Sequence, residues 1–217
     1  MINTVLFDLD GVLLDTGEGS IDSARYAARI MGFEELPYDT VRKFVGPPIV
    51  SSFMMYHGCN EEEATKAALI FREYYKEKAL FKAVLYPGIL DTLAFLQKKG
   101  YKIGVATYKR EDYAIRLLEH FGIVAYCDVI HGADAANLLS KKDIVNLCIH
   151  ELKANPLNVI LVGDTFHDAE GAVASGIGFI GVTYGYGFRG IKDVERYPHI
   201  GIAENCLQIK EIIINKQ

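Results

Sequence analysis

Thr4-Val5-Leu6-Phe7-Asp8-Leu9-Asp10-Gly11 decides the fold. A short β-branched and apolar run stops abruptly in Asp-Leu-Asp-Gly, which reads as a buried strand ending in a turn. Beyond that turn the period changes. Between about residues 17 and 81 the pattern is helical, with Ile21, Ala24, Ala27, Ala28 and Met31 at helical spacing and Gly32 ending the run. Asn60 with Glu63 three residues on resembles a capping box, opening a helix whose apolar side is Ala64, Ala67, Ala68, Phe71 and Tyr75. Between these helices Phe44-Val45-Gly46-Pro47-Pro48 must break any helix.

Beyond Tyr86-Pro87-Gly88 helices and strands alternate. Helices are expected at 89–99, 111–121 and from Ser140 to about 152, then a Gly/Ala-rich one after Asp164, and a last one from about Cys206. Strands are expected at 102–106, near 128–131, at 158–162 and at 179–182. Such alternation implies βαβ units and a parallel sheet with helices on both faces. The chain is therefore expected to be α/β: a Rossmann-like parallel-sheet core (residues 1–15 and 83–217) with an inserted all-helical cap (16–82).

The 217 residues, half of them hydrophobic, suffice for one full core and a modest second lobe. A net charge of −5 argues against a nucleic-acid polymer or an anionic membrane as partner. The first apolar run is too short for a signal peptide, and no segment approaches the ~20 apolar residues that cross a bilayer. Cys59, Cys127, Cys148 and Cys206 are scattered without zinc-site spacing, so they read as reduced, mostly buried thiols of a cytoplasmic protein.

Sites in open α/β sheets form at the carboxyl ends of strands near the topological switch point. The first strand ends in Asp8 and Asp10, the next in Thr107-Tyr108-Lys109, and a later one in Gly163-Asp164 with Asp168 following. Lys141 lies at a helix start between the last two. Asp8 and Asp10, two apart on an extended end, point to the same side. Adjacent carboxylates repel unless one is protonated or a cation sits between them. Asp8, Asp10, Asp164 and Asp168 thus form a hard-oxygen environment suited to Mg²⁺. A phosphate ester carries up to about −2, and each unit-charge pair at ~4 Å is worth ~4 kcal/mol at an effective dielectric of ~20. A divalent ion and Lys141 would offset the acids facing it, with the Thr107 hydroxyl adding a hydrogen bond. Taken singly, D-x-D-G is a common turn, Thr107 an ordinary strand end and Lys141 a solvated helix start. The constellation carries the inference.

These residues resemble the haloacid dehalogenase superfamily, specifically its phosphoglycolate phosphatase-like group with a helical cap, over about residues 4–186. Asp8 to Thr16 is similar to the first motif of that family, Thr107 to its second, and Lys141 in Ser140-Lys141-Lys142-Asp143 to its third. Gly163-Asp164-Thr165-Phe166-His167-Asp168 is similar to its acidic fourth motif. Lys142 is an alternative for the third-motif lysine. Thr107-Tyr108-Lys109-Arg110 replaces the commoner Thr-Asn/Ser-Lys-Pro.

The resemblance implies a Mg²⁺-dependent phosphatase of a small phosphorylated metabolite. Asp8 would be nucleophile, ionised at neutral pH and forming an aspartyl-phosphate, and Asp10 would serve as acid and then base. Mg²⁺ would be held by Asp8, the backbone carbonyl of Asp10, Asp164 and Asp168. Thr107, Lys141 and the backbone near Leu9, Asp10 and Tyr108 would hold the phosphoryl oxygens. Gly46 and Pro47, with Arg42 and Lys43, are candidate cap contacts to substrate, and the cap is expected to hinge near residues 15–18 and 82–86. Phosphoglycolate leads as substrate by analogy, with nucleoside monophosphates and sugar phosphates as alternatives. A phosphomutase is disfavoured by the Val45-Gly46-Pro47-Pro48 turn, a dehalogenase by Asp10, and a phospho-aspartate receiver module by the inserted helices. Gly176-Ile177-Gly178-Phe179-Ile180-Gly181 matches a dinucleotide fingerprint but follows a helix and enters a strand, the reverse of what that loop requires.

Overall fold

Six parallel strands carry the candidate site. The structure, a computed structural model, describes residues 1–134 and 138–216. In chain order it contains β1 (Thr4–Phe7), β2 (Leu14–Asp15), α1 (Gly17–Met31), α2 (Tyr38–Val41), α3 (Ile49–His57), α4 (Glu61–Tyr74), β3 (Val84–Leu85), α5 (Ile89–Lys98), β4 (Lys102–Arg110) and α6 (Glu111–His120). Next come β5 (Val129–Ala133), α7 (Lys141–Glu151), β6 (Val159–Gly163), α8 (Phe166–Ala174), β7 (Gly178–Val182), α9 (Ile191–Val194), β8 (Gly201–Ala203) and α10 (Cys206–Ile214).

The sheet runs β5-β4-β1-β6-β7-β8, every neighbouring pair parallel. All four residues of β1 are buried, as an apolar strand at the centre of such a sheet must be. The chain leaves β1 for β4 and β5 on one side, then returns to β6 on the other, so the switch point lies at β1. Phe7 pairs with Val105 of β4 and Val162 of β6. One residue past that row stand Asp8, Ala106 and Gly163, level with one another on three neighbouring segments. Leu6, Ala106, Ile144, Val145, Leu161, Ala169 and Phe179 belong to one buried cluster behind them.

The chain divides into two units, Met1–Leu14 with Leu85–Gln217, and Asp15–Val84. In the second, α1 packs on α4 and on the π-helical turn Tyr75–Ala79. Gly19 is needed there, because a Cβ would collide with the Ala79 carbonyl. Tyr26 stacks on Tyr74 at 4.3 Å, and Phe44, Phe53 and His57 form an aromatic group. Asn60 and Glu63 make the reciprocal capping box their spacing implies. A cavity of about 540 Å³ within this unit is lined by Arg25, Tyr26, Arg29, Phe33, His57 and Tyr74 among others.

Two local outcomes differ from expectation. The strand expected at 102–106 continues to Arg110, its register against β5 shifting between Ala106 and Arg110, where Arg110 pairs with Ala133. The very short strands β2, β3 and β8 and the one-turn helices α2 and α9 carry too few residues for a period to show. Cys148 and Cys206 are buried while Cys59 and Cys127 are half-buried, and all four are free thiols. No helix among the described residues is long and apolar enough to cross a membrane.

Candidate active site

The turn after β1 is tight. The Leu9 carbonyl accepts from the amides of Leu13 and Leu14, at 2.9 and 3.0 Å, and Gly11 takes φ +82°. A side chain at Gly11 would also run into the Asp164 carboxylate, so glycine is demanded twice over. Leu9 itself is fully buried, which leaves only its backbone as a partner for a phosphate.

Asp8, Asp164 and Asp168 converge: one carboxylate oxygen from each lies within 4.8 Å of the others, and all three residues are buried. Lys141, the first residue of α7, reaches in among them. Its Nζ is 2.6 Å from Asp8 Oδ1 and 2.6 Å from Asp168 Oδ1. Ser140 caps α7, in a box with Asp143, and the Lys141 amide donates to the Tyr108 hydroxyl at 2.8 Å. Gly171 of α8 passes so close that a Cβ there would sit 2.7 Å from Lys141 Cγ. Lys142, the alternative, is exposed.

Each remaining carboxylate is held differently. Asp164 Oδ2 accepts from the amides of Tyr186 and Gly187, at 2.7 and 3.3 Å, in the loop after β7. Asp164 Oδ1 is buried without a hydrogen-bond partner. Asp168 Oδ2 accepts from the amide and hydroxyl of Thr165, closing a capping box at the start of α8. Asp10 stands apart from the trio and takes two hydrogen bonds from Lys109 Nζ, at 2.9 and 3.0 Å. Thr107 is buried, and its hydroxyl oxygen accepts from the Lys109 amide at 3.2 Å, leaving its proton for another acceptor. Tyr108 packs edge-on against His167.

Three carboxylates against one ammonium leave two negative charges in a buried space when all are ionised. The protein without a cation relieves this by holding protons. Burial, only partly offset by Lys141 and reinforced by Asp168 and Asp10, pushes Asp8 up to about 7. Burial and then Asp168 and Asp8 hold Asp164 well above the usual carboxylate range. At Lys141 burial opposes the charge, but Asp168 and Asp8 outweigh it and hold the ammonium above the ordinary lysine range. Burial among like charges thus works against the ionised Asp8 expected at neutral pH. A divalent cation fits on two counts: it balances the residual charge and gives Asp164 Oδ1 the partner it lacks. All-oxygen donors suit Mg²⁺.

Asp8, Asp10, Thr107, Tyr108, Lys141, Asp164 and Asp168 all fall at the carboxyl ends of β1, β4 and β6 or at the starts of helices. Gly46 and Pro47 belong to the helical unit, exposed before α3, as are Arg42 and Lys43. Sequence reasoning did not find Lys109 as the partner of Asp10, although alternation along a strand places it on the face of Thr107. Nor did it find the Tyr186 and Gly187 amides, for which no pattern existed.

A family model described as "Haloacid dehalogenase-like hydrolase" matches residues 5–182. Among curated proteins, the tyrosine-protein kinase PtkA of Mycobacterium tuberculosis H37Rv is 36% identical over 184 residues, covering 84% of this chain and 62% of that one. The matched part of the chain thus spans less than two thirds of that relative's length. A 5′-nucleotidase of Pseudomonas aeruginosa is 32% identical over 186 residues, covering 84% of this chain and 83% of that one. The crystal structure of a predicted phosphatase from Clostridium acetobutylicum superposes with a TM-score of 0.92 at 33% identity, covering 99% of both chains.

Proposed function

We propose that the chain, which belongs to the haloacid dehalogenase-like hydrolase family, is a phosphatase that hydrolyses a small phosphate monoester through a phosphoryl group carried on Asp8, in the cytoplasm and with Mg²⁺. The observation that carries this reading is the meeting of the Asp8, Asp164 and Asp168 carboxylates, with the Lys141 ammonium bound to the first and the last of them. Free thiols suit a reducing compartment.

In the first half-reaction an Asp8 oxygen attacks phosphorus in line, the ester P–O bond breaks, and the leaving oxygen takes a proton from Asp10. In the second, water attacks the phosphoryl group, gives its proton to Asp10, and the bond to Asp8 breaks to release inorganic phosphate. Asp10 ends each cycle as it began. The Thr107 proton and the Lys141 ammonium serve the phosphoryl oxygens, whose charge must be met in the transition state. Backbone amides near Leu9, Asp10 and Tyr108 complete that cradle. Mg²⁺, held by Asp8, Asp164 and Asp168 with the Asp10 carbonyl, would supply charge neutralisation for the phosphoryl group.

Phosphoglycolate is the leading substrate, supported by the group the sequence resembles, with nucleoside 5′-monophosphates and sugar phosphates next. Gly46 and Pro47 are the proposed specificity contacts. A panel of these esters plus a phosphotyrosine peptide, assayed for released phosphate with Mg²⁺ and with chelator, tests the reading. Metal-dependent release from at least one small ester is expected. Equal rates with chelator would contradict the metal's part, and preference for the peptide would contradict the small-substrate part.

A further inference from the structure

We propose that Lys109 is a positioning residue that fixes the Asp10 carboxyl group, keeping one of its oxygens on the ammonium while the other carries the proton passed to the leaving oxygen. The inference rests on the phosphatase reading and deepens it by naming what holds the acid.

An aspartate turns about two torsions, and a general acid works only in the rotamer that reaches its target atom. Misplacement by about 1 Å is enough to cost on the order of 10²-fold in rate. Asp10 sits in a turn and not in a strand, so the backbone alone does not fix its carboxyl group. Lys109 does. One ammonium donates to both oxygens, at 2.9 and 3.0 Å, which restrains the plane of the group as well as its place. The pair is sheltered, with side chains 8% and 12% exposed, so it is not the loose surface ion pair that contributes nothing.

The lysine comes from the rigid side. It lies in β4 between two paired stretches, Lys102–Val105 against β1 and Arg110 against Ala133 of β5, and its ammonium ties the turn after β1 to that strand. Its amide also donates to the Thr107 hydroxyl, so one residue orients two members of the site. The unexpected continuation of β4 to Arg110 has this consequence. Had the strand stopped at Ala106, Lys109 would lie in a loop with no fixed direction.

The test separates positioning from mere folding through leaving-group demand. Phenyl phosphate needs its leaving oxygen protonated, whereas 4-nitrophenyl phosphate leaves as a stable anion and needs the acid far less. Lys109→Met should lower kcat/KM for phenyl phosphate at least about tenfold more than for 4-nitrophenyl phosphate, within the range general acids contribute. Lys109→Arg should restore part of the difference. In an Asp10→Asn background the same Lys109→Met change should alter kcat/KM less than about twofold, because the group it positions is gone. Equal losses for the two esters, or an undiminished loss in the Asp10→Asn background, would overturn the proposal. Asp8→Asn, assayed alongside, keeps the two readings distinct: wild-type turnover in that variant would remove the parent mechanism, and the Lys109 proposal with it.

Discussion

Lys141 Nζ lies 2.6 Å from Asp8 Oδ1, joining the first helical residue of α7 to the residue just past β1, 133 positions earlier in the chain. The same ammonium meets Asp168 of α8 at the same distance, so a single cation holds two acids from distant parts of the chain.

Removing it should therefore cost both fold and function. Lys141→Met leaves Asp8 and Asp168 buried and uncompensated, and breaking a buried pair from one side typically costs about 3–5 kcal/mol. Denaturant unfolding should show that loss, and phosphatase turnover should fall by more than about 10² because a transition-state charge partner is missing. Lys141→Arg should fail to rescue, since a planar guanidinium does not reproduce the compact ammonium that meets Asp8 and Asp168 at 2.6 Å each.

Gly11 offers a second check. Its φ of +82° strains an L-residue by about 1–2 kcal/mol, and an added Cβ strikes the Asp164 carboxylate. Gly11→Ala should lower unfolding free energy by at least that amount and weaken Mg²⁺ binding in titration calorimetry. Gly32→Ala, where a Cβ meets nothing at φ +71°, should show the conformational cost alone.

The chain's response to pH is set by the raised carboxylates. Asp8 binds its proton up to about pH 7 when folded but only to about the ordinary aspartate value when unfolded. The folded state therefore holds the extra proton between those values, and stability falls as pH rises through that window. Asp164 acts in the same direction. Metal-free protein should lose thermal stability from pH 5 to pH 8, and saturating Mg²⁺ should flatten the slope by replacing protons with a cation. Asp8→Asn should weaken the slope without metal. A metal-free Tm that rises across this range would contradict the assignment of buried protons.

Burial also sets thiol reactivity. Desolvation pushes Cys148 up to about 12, so its thiolate is scarce at pH 8. Cys148 should resist iodoacetamide in the folded protein and react on unfolding, as peptide mass mapping would record.

Much of the fold is legible in the sequence because period and punctuation act locally. The apolar run before Asp8, the caps at Asn60 and Ser140, and Gly163-Asp164 after a buried strand all announce themselves within a few residues. Membership of the site is legible wherever a chemical group closes a strand. What escapes are relations set by distance in space. Lys109 meets Asp10 only because β4 outlasts its apolar stretch, and the amides of Tyr186 and Gly187 reach Asp164 from a loop with no patterning. Asp168 is expected as metal support, yet one of its oxygens is spent on the Thr165 cap. The charge state of Asp8 escapes for the same reason, since desolvation depends on neighbours no window of sequence contains.

Trapping the phosphoryl group tests the central claim most directly. Enzyme quenched in acid during turnover of a ³²P-labelled ester, then digested and mapped, should carry label on the peptide containing Asp8, and Asp8→Asn should carry none and turn over no substrate. Label on another residue, or steady turnover by Asp8→Asn, would contradict the account.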